Sequence, residues 1–83
     1  MSKMYVLTNE TNENLVIGVY STMTNATNAM LTYAHGWAII DVEPQEIGTR
    51  YTFYRDDCCP MVLYIERCVL DDDTYLPEKS ASY

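Results

Sequence analysis

Apolar and polar positions change period several times along this chain, and each change marks an element. Tyr5 to Thr8 and Leu15 to Tyr20 are rich in β-branched and aromatic residues, and the polar turn formers "NETNEN" separate them. That arrangement predicts a β-hairpin. In its second strand a period of two sets Leu15, Ile17 and Val19 on one face and Val16, Gly18 and Tyr20 on the other. Gly18 marks either a close approach onto the sheet or a bend.

After Tyr20 the period lengthens. Ser21 or Thr22 offers a capping hydroxyl, and Ala26, Ala29, Met30, Tyr33 and Ala34 recur at spacings of three and four. This predicts an amphipathic helix closed by His35 and Gly36, with Gly36 suited to the left-handed position after a helix end. Its outer face, Thr24, Asn25, Thr27, Asn28 and Thr32, is made of mediocre helix formers, so packing onto the sheet must hold it. "WAIIDVE", "RYTFYR" and "MVLYIERCVL" read as three further strands. "PQEIGT" is predicted as the loop before the second of them, and Asp56 to Pro60 as the connection of a hairpin. The expected fold is α+β, in the order β-β-α-β-β-β, with one helix on one face of a mainly antiparallel sheet of four to five strands. The other face must either curl around its aromatic side chains or meet a partner. Residues 1–76 are expected to form a single domain, and the polar residues 77–83 a flexible tail.

With 83 residues there is room for one core, and 48% hydrophobic residues, among them eight Tyr, are enough to build it. The opening "MSKMYVLTNE" has no apolar signal region, and no run approaches the roughly 20 apolar residues of a spanning helix. A cytoplasmic location, no membrane contact and reduced Cys58, Cys59 and Cys68 are therefore expected. The net charge is −7, and nearly all of it lies after residue 40, where ten acids face Arg50, Arg55, Arg67 and Lys79. Such a surface repels phosphate backbones, which argues against direct nucleic-acid binding, and it favours a protein partner with a basic surface.

"RDDCCPM", residues 55–61, is the densest group of reactive side chains, but neighbouring cysteines on an extended chain point to opposite faces. Adding Cys68 and His35 gives no known metal-ligand spacing. No metal and no cofactor are expected, and the thiols read as incidental to a hairpin end. His35 suits a helix terminus and has no partner supplied by a local motif. Asp71-Asp72-Asp73 lacks the spacing of a calcium loop. No catalytic machinery is visible, so an enzyme is not expected.

What remains is surface. Tyr51, Phe53, Tyr54, Asp56, Asp57, Tyr64, Glu66, Asp71, Asp72, Asp73 and Tyr75 are the candidate partner-binding residues: aromatic bodies set among carboxylates that suit a basic partner. Alternatively, the aromatics simply form the sheet core while the acids keep the chain soluble. An acidic, tyrosine-rich docking face would also suit a protein that imitates DNA before a host nucleic-acid-binding protein. A second functional class stays open, an oligomer whose sheet faces enclose a small nucleotide-like signal.

Tyr5-Val6-Leu7, followed after a polar turn by Ile17-Gly18-Val19-Tyr20-Ser21 and a helix containing Ala26 and Ala29, resembles a family of short uncharacterised proteins of bacteriophages and bacteria. The likeness runs over the first strands and the start of the helix, where this chain carries Thr and Asn in place of the family's Glu and Lys. The resemblance implies a viral setting and a role as an inhibitor of host enzymes or antiviral defence, comparable to anti-CRISPR proteins, and no catalytic residues.

Overall fold

Among the described residues, five strands and one helix follow one another in the order that the periods predict: β1 Ser2–Asn9, β2 Leu15–Tyr20, α1 Met23–Tyr33, β3 Ala38–Pro44, β4 Gly48–Tyr54 and β5 Met61–Leu70. The structure, a computed structural model, describes residues 2–70. The domain boundary expected at residue 76 and the tail at 77–83 lie outside the described residues. All strand pairs are antiparallel, and the sheet order is β2-β1-β5-β4-β3. The fold is thus α+β. β5 is central, pairing with β1 from Ser2 opposite Leu70 to Asn9 opposite Leu63 and with β4 from Gly48 opposite Glu66 to Phe53 opposite Met61.

The first hairpin turns through Glu13 and Asn14, both in the left-handed region at φ 54° and 58°. Leu15 N–H donates to the Asn12 carbonyl at 3.0 Å. Two consecutive positive φ values give the turn whose twist matches that of paired strands. Asn9 anchors this hairpin from a buried position. Its Oδ1 accepts from the Thr11 N–H and hydroxyl, and its Nδ2 donates to the Tyr33 hydroxyl at 3.1 Å, so the one buried polar side chain among the described residues is satisfied.

α1 begins as expected, with Thr22 Oγ1 accepting from the Asn25 N–H at 3.0 Å, a cap worth about 1 kcal/mol. It ends before Gly36, whose φ of +88° suits a residue without Cβ. Ala26, Met30 and Ala34 are buried, and with Leu7, Phe53, Leu63 and Ile65 they form the core. α1 packs on β1, β2 and β5 and does not reach β3. One side of the sheet is therefore half covered, and the other carries no helix among the described residues.

Two bulges decide which side chains face the helix. The ladder between β1 and β2 shifts between Leu7 and Thr8, so Ile17 is the extra residue, and Gly18 and Tyr20 stand opposite Leu7 and Tyr5 on the helix side. Val16 and Val19 fall together on the outer side. The simple alternation expected for β2 is corrected by this inserted residue, which flips the faces beyond it. Gly18 does mark a close approach: the Tyr20 ring lies over it, and a Cβ there would stand 2.7 Å from Tyr20 Cζ. The second bulge, at Ile40, has the same effect in β3.

Candidate docking face

Cα partners across an antiparallel ladder share a face, so the register assigns each predicted site residue that lies in a described strand. Thr49, Tyr51 and Phe53 stand opposite Ile65, Leu63 and Met61, which places them on the helix side. Arg50 and Thr52 stand opposite Tyr64 and Val62 on the outer side, and Tyr54 stands there too, opposite Ala38. The set expected to form one surface is therefore divided. Tyr54, Tyr64 and Glu66 share the outer face. Tyr51 faces the helix side, and Phe53 is sealed in the core at 1% exposure, which removes it from any contact with a partner. Asp56 and Asp57 sit in the β4–β5 connection at one end of the sheet. Asp71, Asp72, Asp73 and Tyr75 lie outside the described residues.

In their stead the outer face gains Glu10, Asp41 and Glu43 from other parts of the chain, and Arg50 from β4 itself. Glu66 pairs with Val6 and Gly48, while Asp41 and Glu43 of β3 stand opposite Thr52 and Arg50. Glu10 continues β1, its N–H donating to the Val62 carbonyl. Arg50 is the cation among them. Its Nε donates to Glu10 Oε1 at 2.7 Å and its Nη2 to Glu10 Oε2 at 3.3 Å, while Nη1 lies 3.6 Å from Glu43 Oε1. Its guanidinium carbon is 5.2 Å from the Tyr64 ring centroid, within cation–π range. The hydrogen bond to Glu10 and the charges of Glu10 and Glu43 hold the guanidinium above its ordinary pKa. Arg50 thus ties four strands together across the face and leaves it net negative, since Glu10, Asp41, Glu43 and Glu66 outnumber it. The β2–β1 flank is apolar, with Val16 and Val19 56% and 52% exposed.

One thiol of "RDDCCPM", that of Cys58, is more engaged than the sequence suggests. Arg55 Nη2 donates to Cys58 Sγ at 3.2 Å, Cys58 Sγ donates to Asp57 Oδ1 at 3.4 Å, and Arg55 Nε donates to the same carboxylate oxygen at 3.3 Å. The Arg55 guanidinium also stacks 5.1 Å from the Trp37 ring. Cys58 therefore links the connection's charges, while Cys59 is exposed and all three cysteines are free. Among the described residues no group of three or more His, Cys, Asp or Glu could hold a metal ion.

Asp57 titrates below the usual aspartate range because of the hydrogen bond from Cys58, one from its own backbone, and Arg55. A carboxyl depressed in the folded state contributes stability above its unfolded pKa, and loses it as pH falls through the folded value. Cys58→Ala is expected to raise the Asp57 pKa toward its ordinary value and to remove that small contribution. A carboxyl-carbon NMR titration of Asp57 in both proteins measures it; an unmoved titration would show that Cys58 does not hold the carboxylate.

On the helix side an open cleft of about 310 Å³ runs between the start of α1 and the β3–β4 loop, lined by Tyr5, Met23, Glu46, Ile47, Thr49 and Arg67. It lies on the opposite side of the sheet from Tyr64 and Glu66. No described helix is long and apolar enough to cross a membrane. No family model, no curated protein and no solved structure matches this chain.

Proposed function

We propose that this chain is a small acidic, non-enzymatic protein that acts in the cytoplasm by docking its outer sheet face onto a basic protein surface. The partner class is a host or antiviral-defence protein that binds nucleic acid, and the effect is inhibition, with carboxylates standing where phosphates would. One observation carries the reading: Tyr54 and Tyr64 lie with Glu10, Asp41, Glu43 and Glu66 on a face that no described element covers and where, among the described residues, Arg50, held by Glu10, is the cation. Tyrosine in such a place supplies rigid contact area, and the acids supply orientation and on-rate. The resemblance to short phage and bacterial proteins agrees with this setting.

The immobilised protein, incubated with bacterial lysate, is expected to retain a nucleic-acid-binding protein at low salt and release it as salt rises. Exposed charges are screened over about 8 Å at physiological ionic strength. Tyr64→Ala combined with Glu66→Lys and Asp41→Lys is expected to abolish retention. Retention of nothing above background, or equal retention by the triple variant, would overturn the reading.

The second reading, an oligomeric small-ligand binder, draws on the cleft beside α1, whose volume falls at the low end of ligand sites. Native mass spectrometry separates the two: a bound small molecule on a multimer supports this one, a bare monomer the first.

A further inference from the structure

β3 lies at an edge of the sheet, and all seven of its residues are exposed. One side of this strand pairs with β4, and among the described residues no strand pairs with the other, whose backbone donors and acceptors are those of a sheet edge. The bulge at Ile40 makes the strand amphipathic. Ile39 and Val42 come together on the helix side, opposite Phe53 and Tyr51, and remain 44% and 49% exposed because α1 does not reach them. Asp41 and Glu43 come together on the outer side. Asp41 has no cation within salt-bridge distance among the described residues, and Glu43 has only the more distant end of an arginine already held by Glu10.

We propose that the β3 edge takes up an extended basic segment of a partner protein, which adds to the sheet as a sixth strand. Lysine or arginine at every second position of that segment faces Asp41 and Glu43, and the alternate apolar residues cover Ile39 and Val42. Backbone pairing of this kind gives affinity, and the alternating side chains give selectivity. The inference rests on the docking reading and names the form its partner takes.

Charge decides against a second copy as the occupant. β3 carries two acids and no cation, so pairing β3 with its own copy would gather four carboxylates on one face, where like charges repel. The other edge, β2, has no charge at all to offer them, and a β3-to-β2 contact would propagate head to tail without closing. The bulge at Ile40 also interrupts a regular ladder, which guards the edge against an indiscriminate strand.

The test is titration of the ¹⁵N-labelled protein with a nine-residue peptide of alternating Lys and Val, followed by NMR. Peptides of alternating Glu and Val, and of the same Lys and Val in blocks, are the comparisons. The alternating Lys–Val peptide is expected to shift the amides of Ala38 to Pro44 and leave those of β2 unmoved. Asp41→Asn with Glu43→Gln, which keeps shape and removes charge, is expected to weaken binding by about tenfold, the loss of two exposed ion pairs. Equal binding of the three peptides, no shift at β3 at millimolar peptide, or shifts at β3 that follow protein concentration alone would each overturn the proposal. If the lysate partner is still retained in those cases, the docking face survives without the added strand. If retention is lost as well, the wider reading falls too.

Discussion

Replacing Phe53 by alanine is expected to lower the unfolding free energy by about 3–5 kcal/mol, the usual cost of emptying a buried aromatic site. A chain of this length has roughly 4–12 kcal/mol in total. The expected result is a large fall in the urea midpoint, reaching near zero where the total stability lies at the low end of that range. The magnitude follows from position: Phe53 is 1% exposed, among the largest fully buried side chains together with Leu7, Met30, Leu63 and Ile65, and no second core exists among the described residues to compensate. Its neighbour Tyr54, on the outer face, is the control. Tyr54→Ala is expected to cost less than about 1 kcal/mol, as surface substitutions do. Equal losses at the two positions would contradict the assignment of faces in β4.

Gly48→Ala is expected to destabilise by about 1–3 kcal/mol, the range for forcing atoms into a packed site. At a permissive site the same exchange stabilises by about 0.4–1 kcal/mol, because it restrains the unfolded chain. Here a Cβ would meet the Ile65 carbonyl oxygen of the neighbouring strand, and the Tyr64 hydroxyl at 2.8 Å. A side chain can swing away, but the backbone of the central strand cannot. For a domain of this size each kcal/mol moves the melting temperature by roughly 4–8 °C. A calorimetric scan should show a clear fall, and an unchanged or raised melting temperature would mean that β4 and β5 do not approach so closely. The substitution also displaces Tyr64, so it is expected to disturb the outer face.

Much of the architecture was legible because it rests on local period. The change at Tyr20, the Thr22 cap, the small residues Ala26 and Ala29 and the Asp56–Pro60 connection identify the elements and their order without reference to distant contacts. The predicted loop at 44–49 was too long, since Gly48 already belongs to β4; its glycine reads as a loop signal but serves a close strand approach. Strand order was not legible, because the ladder that joins β1 to β5 pairs Ser2 with Leu70, from the two ends of the described chain.

The candidate surface was legible only in part, for two physical reasons. Neighbours on a strand point apart, so Tyr51 and Phe53 cannot share a face with Tyr54, and strict alternation in "RYTFYR" carries that signal. The grouping of Glu10 with Arg50, forty residues apart, and of Asp41 with Glu43 beside them arises from long-range pairing and from the bulge at Ile40. No local pattern announces it. The cysteine pair taught a similar lesson, because the link from Arg55 through Cys58 to Asp57 depends on the turn's geometry rather than on spacing.

The proposal most open to test is that another macromolecule meets this protein on the side of its sheet that carries no described helix. Its most direct measurement is chemical-shift mapping of the ¹⁵N-labelled protein with the partner retained from lysate. Shifts are expected at Tyr54, Tyr64, Glu66, Asp41 and Glu43, with the exposed helix positions Asn28 and Thr32 unmoved. Shifts confined to α1, or to the cleft at Met23, Glu46 and Ile47, would contradict it.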